Sequence, residues 1–189
     1  MFTGQPRLTS EALWLAALVT APVDAVFLYL LCRSLPRERF RRLFWPVGIV
    51  AAVFWGLIWT WGLWSFAWDM VYHNVFPVWA RYVVPPAYGV MFGGLALFFW
   101  WAGMRLRADP ALSFCVFGGL VSLPGHLIGV QRGMFEKSPL LQDVSVVSAL
   151  TFGVFEFIFY FGVILTLATL ARAGWDRGAR LKQEPARAA

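Results

Sequence analysis

Five uninterrupted apolar runs decide what this chain can fold into. A helix needs about 20 apolar residues to cross the hydrocarbon of a bilayer. Residues 12–32, 43–68, 82–104, 111–130 and 144–171 meet that length without a Lys or Arg in any of them. The composition agrees: 60% of the 189 residues are apolar and only 14% charged, far from the balance of a soluble domain. An aromatic share of 18%, with 11 Trp and 18 Phe, excludes disorder, coiled coil and collagen. The expected fold is therefore all-α, a polytopic membrane helical bundle of five transmembrane helices in a single integral membrane domain.

Charge sets the expected orientation. The 16 Lys and Arg lie between the apolar runs, twelve of them on one side and four on the other. The twelve include Arg33, Arg37, Arg39, Arg41 and Arg42, then Arg105 and Arg107, then Arg172, Arg177, Arg180, Lys182 and Arg187. The positive-inside rule places that side in the cytoplasm, so the N-terminus is expected outside and the C-terminus inside the plasma (inner) membrane, with 172–189 a basic cytoplasmic tail. The net charge of +6 is thus a topology signal, and nucleic acid is not an expected partner. The first run has an acid at its centre and an Arg cluster after it, unlike a cleaved signal. Lipid is the expected surroundings, with other membrane subunits or a second copy as candidate partners.

Trp and Tyr crowd the ends of several runs, as at Trp59, Trp61, Trp64, Trp68, Tyr72, Trp79, Trp100 and Trp101, and read as interfacial belts. Gly89/Gly93 and Gly125/Gly129 have the spacing that lets helix backbones approach, within one bundle or between subunits. Cys32 and Cys115 lack any metal-binding spacing and read as small core residues.

Ionisable groups inside a bilayer are costly, so each is a candidate for function. Asp24 and Glu156 both fall roughly 18 Å from the outer ends of their runs, near the midplane, where they are expected to share a proton or a cation if they meet. The alternative for each is a protonated carboxyl bonded to a neighbouring hydroxyl or carbonyl. A second set lies nearer the outer face. Asp69 and His73 are four apart, the spacing at which one helix face presents two metal ligands, and His126 lies at the outer end of the fourth run. A carboxylate with two imidazoles suits copper, zinc or iron, with Glu136 or Asp143 supporting from the outer loop. Against this, Asp69 and His73 also suit a helix end in wet headgroups, and His126 suits a core imidazole bonded to a carbonyl freed by Pro124. There is no P-loop, dinucleotide-binding glycine pattern, HExxH or GxSxG. Ser65 and Ser122 are candidate nucleophiles by proximity alone, and two outer histidines serve a haem poorly.

The stretch Trp68-Asp69-Met70-Val71-Tyr72-His73, followed by Val84-Pro85-Pro86-Ala87-Tyr88, resembles the C subunit of the copper membrane monooxygenases, the particulate methane and ammonia monooxygenase family. Ser122-Leu123-Pro124-Gly125-His126, Phe135-Glu136 and Ser138-Pro139-Leu140-Leu141 are similar to its later Asn-x-x-x-His helix, acidic stretch and Pro-Leu-His segment. The likeness covers roughly residues 60 to 160. It implies a helical bundle that joins other membrane subunits, with copper held by Asp69, His73 and His126. The chain departs from the pattern where Pro86 or Ala87, and Leu140 or Leu141, stand for ligating histidines and Ser122 for the Asn. These departures imply a diverged relative with one rebuilt site or none. Beside this reading stand a small transporter or lipid-pocket protein using Asp24 and Glu156, and a non-catalytic accessory subunit.

Overall fold

A computed structural model of the protein describes residues 8–58, 61, 68, 76–138 and 140–187. Among these, helix is the dominant structure: α1 (Ser10–Ser34), α2 (Arg37–Arg41), α3 (Phe44–Leu57), α4 (Ala80–Arg105), α5 (Pro110–Leu120), α6 (Ser122–Gln131), α7 (Met134–Lys137) and α8 (Val146–Arg187). One isolated parallel bridge joins Thr9 to Asp143.

Four stretches of the described residues are long and apolar enough to cross a membrane: Ser10–Ser34, Ala80–Arg105, Pro110–Gln131 and Val146–Arg180. They match the first, third, fourth and fifth expected runs to within a few residues at most boundaries. The expected second run, 43–68, is described as helix over Phe44–Leu57, about 21 Å of rise, and most of its remainder lies outside the described residues. The basic segment after residue 171 continues α8 without a break to Arg187, so the tail begins as helix rather than as loose chain.

The chain passes back and forth, with α8 at the centre against α1, α3, α5 and α6. α3 and α4 form the closest pair, and small residues explain it. A Cβ on Gly89 would lie 2.9 Å from Gly56 Cα, one on Gly93 would lie 3.4 Å from Ala52 Cα, and one on Gly48 would meet Leu97 at 3.1 Å. The Gly89/Gly93 pair is therefore an internal helix contact. Gly125, by contrast, faces open space, and Gly129 meets Met134 of the following turn.

The core is aromatic. Trp55, fully buried on α3, packs its ring 5.1 Å from Phe92 of α4 and 5.4 and 5.6 Å from Phe157 and Phe161 of α8. The aromatic residues expected at the interfaces divide: Trp61, Trp79 and Trp101 are exposed, whereas Trp68 is buried and Trp100 stacks on buried Phe40 at 6.0 Å. Much of the remaining surface of α1 and α4 is large and apolar, including Leu18, Val26, Val90 and Phe98, as a lipid-facing surface requires.

Both ends are tied by polar contacts. At the Arg-rich end the Arg37 guanidinium donates to the carbonyls of Met104 (2.9 Å), Leu106 (2.7 Å) and Ala108 (2.9 Å), capping α4 where its last carbonyls lack helical partners. Asp109 then accepts from the N–H groups of Ala111 and Leu112 to start α5, with Pro110 in the first turn. At the opposite end Thr9 caps α1, and Ser10 binds both Asp143 O and the Ser145 N–H. Gly133, at φ +73, closes α6 in the left-handed conformation that glycine adopts without strain.

Candidate functional site

α5 and α6 together form one apolar stretch of 22 residues, Pro110–Gln131. Val121, between them, keeps helical angles (φ −66, ψ −18) and donates to the Phe117 carbonyl at 3.1 Å, so the backbone runs on through it. Pro124 supplies no N–H to the Leu120 carbonyl one turn back, which leaves that carbonyl outside the helical ladder. In the same turn, Ser122 is 3% exposed and its Oγ has no hydrogen-bond partner among the described residues.

His126 sits one turn past Ser122. Its Nδ1 lies 2.8 Å from the Ser122 carbonyl oxygen. A carbonyl only accepts, so Nδ1 carries the proton, and in the neutral ring Nε2 is the nitrogen with a lone pair. This is the carbonyl-bonded imidazole foreseen as the alternative to a metal ligand, and the two roles are compatible because Nε2 stays available. The ring lies flat against α8 where Gly153 makes room: a Cβ there would fall 2.9 Å from Cε1 and 3.3 Å from Nε2.

Three residues after Gly153, on the same face of α8, comes Glu156. The Tyr160 hydroxyl donates to Glu156 Oε1 at 2.6 Å, the short distance of a charge-assisted or strong neutral bond. His126 is within electrostatic reach of this carboxyl. The Tyr160 ring is held by Trp55 at 5.8 Å, Phe54 at 5.9 Å and Phe157 at 6.0 Å. Ser122 and His126 on α6, with Glu156 and Tyr160 on α8, thus make up the polar seam where these two helices pack, walled by aromatic rings. The Glu156 carboxyl and the His126 ring are the groups of that seam that can hold a proton.

Asp24 and Glu156 are not hydrogen-bonded to each other. Glu156 is bonded to Tyr160, while Asp24, 3% exposed, has no partner for either oxygen among the described residues. α1 and α8 start together at the Thr9–Asp143 bridge, and Phe27 packs into Gly162, so Asp24 comes level with Ile158 and Phe159, just past Glu156 along α8.

Of the outer set only His126 is placed. Asp69 and His73 lie outside the described residues, and among the described residues no three His, Cys, Asp or Glu side chains form a group fit for a metal ion. The residues flanking that segment are close together: the rings of Trp68 and Phe76 are 6.2 Å apart, and the Arg132 guanidinium stands 5.2 Å over Phe76. Glu136 and Asp143 are exposed, and Asp143 engages Ser10 through its backbone carbonyl. Cys32 and Cys115 are free thiols, Cys115 buried. A groove of about 480 Å³ between α1 and α8, lined by Pro22, Val23, Val26, Phe27, Leu30 and Phe159, is wholly apolar and offers no chemistry.

Sequence reasoning missed Tyr160 and Gly153. The Glu156-to-Tyr160 spacing of four was a usable signal, since i,i+4 pairs meet on a helix. Comparison with family models, curated proteins and solved structures finds no match to the chain.

Proposed function

We propose that this chain is a five-span membrane protein, N-terminus outside and C-terminus inside, that conducts protons or couples them to a small solute through the seam between α6 and α8. The observation that supports this reading is the Glu156 carboxyl, bonded to Tyr160 on the helix against which the His126-bearing α6 packs. Ionisable groups near the middle of an apolar span are costly and are retained for such work.

Proton flux into liposomes carrying the purified protein, driven by an imposed potential and read by an internal pH dye, tests the reading. The wild type should acidify the lumen, and Glu156→Gln should fall to the rate of protein-free liposomes. Equal rates for the two proteins would exclude Glu156 as the proton site.

A second reading, a diverged C-like subunit of the copper membrane monooxygenase family with Asp69, His73 and His126 as ligands, is favoured by the Trp68–Phe76–Arg132 cluster. That cluster brings both flanks of the Asp69–His73 segment to the end of α6. The described residues supply one imidazole nitrogen, His126 Nε2, to such a site. Metal analysis of wild type against His73→Ala tests it, and equal metal content would end it.

A further inference from the structure

The seam leaves one buried acid unused. Asp24 falls in the buried stripe of α1 formed with Leu13, Ala17 and Leu31, the only polar member of that stripe. α1 packs this face on α5 and α8. The nearest ionisable groups on those elements give the carboxyl no cation. α5 presents Cys115, α8 presents Glu156 and Tyr160, already bonded to each other, and α1 itself carries Tyr29 and Cys32. No Lys, Arg or His occurs in residues 12–32, 110–120 or 146–171.

A carboxylate so placed would be an uncompensated charge in a low-dielectric contact, and groups in that position neutralise instead. A divalent metal cation is a poor neutraliser here, because Ca²⁺ takes six to eight oxygens and the turn of α1 before Asp24 offers one hydroxyl, Thr20 Oγ1, which donates to the Ala16 carbonyl at 2.7 Å. A proton needs only the one carboxyl.

From this geometry we infer that Asp24 is a second proton-binding site, in the contact of α1 with α5 and α8, that carries its proton at neutral pH. It is separate from the Glu156 seam and does not depend on the transport reading.

Infrared spectroscopy of the full chain in bilayers, with ¹³C-carboxyl aspartate incorporated, tests the assignment at neutral pH. The wild type should show the isotope-shifted C=O stretch of a protonated aspartic acid. The band should vanish in Asp24→Asn and persist in Glu156→Gln. Asp24→Glu, which keeps an acid at the position but removes the label, should also abolish it, so a poorly folded Asn variant leaves the assignment decidable. A wild-type spectrum with aspartate only as carboxylate, or an acid band that survives both Asp24 substitutions, overturns it.

Discussion

At the scale of single residues, the account turns on which polar groups have partners. Removing the Tyr160 hydroxyl deprives a half-buried carboxyl of its 2.6 Å donor, a loss of about 0.5–1.5 kcal/mol for a typical hydrogen bond. Tyr160→Phe should therefore lower the thermal midpoint in detergent and slow proton flux without abolishing it, whereas Glu156→Gln abolishes it. Arg37→Lys should also destabilise the protein, because one ammonium cannot reproduce the planar fork that reaches three carbonyls, and thermal unfolding will show it. The acids themselves were legible in the sequence, since a charge in an apolar run stands out whatever the fold. Their partners were not. Depth along a span follows from counting residues, but whether Glu156 turns toward Asp24 or His126 depends on the rotation of α8, which packing sets.

At the scale of helices, close approach is governed by what a Cβ would strike. Gly89→Ala drives a methyl to 2.9 Å from backbone of α3, which has no flexible end to yield, and overpacking of this kind costs about 1–3 kcal/mol. Gly94→Ala, in open space on the same helix, should leave the thermal midpoint unchanged or slightly higher. The pair makes a controlled comparison, and equal destabilisation of both variants would contradict the α3–α4 contact. Gly89 and Gly93 were readable as a contact from their spacing. Their counterparts Gly56, Ala52 and Gly48 were not singled out, because a mixed Gly-Ala row is a weaker pattern than GxxxG. Gly125 and Gly129 have the same spacing, yet Gly125 faces open space and Gly129 meets only Met134 of the short α7 that follows, so spacing alone does not report a contact between spans. The run 111–130 reads as continuous, and the helical backbone does run on through Val121, with Pro124 the residue of α6 that cannot donate to the turn before it.

At the scale of the whole molecule, the hydrophobic runs gave the helices, because a run of about 20 apolar residues satisfies its backbone groups in lipid by forming one helix, whereas strands do so only in a closed barrel. The described helices bear this out in four spans. Orientation is an expectation from charge, and it predicts accessibility. In a chain with Cys32 and Cys115 replaced by Ala, Gln142→Cys should react with a membrane-impermeant maleimide from outside intact cells. Ala179→Cys should react only after permeabilisation. The reverse pattern would invert the topology. The order of elements also explains the seam: α6 and α8 are joined by a short connection through α7, so α6 is held against the helix that carries Glu156.

Transport through the seam requires His126 on α6 and Glu156 on α8 to be coupled. The chain has two histidines, so the ¹⁵N ring spectrum of histidine-labelled protein in bilayers is simple, and His73→Gln leaves His126 alone. The account predicts an Nδ1 signal of a protonated, hydrogen-bonded nitrogen and an Nε2 signal that moves when Glu156→Gln is introduced. An Nε2 signal indifferent to that substitution, or a proton found on Nε2 with Nδ1 bare, would contradict it.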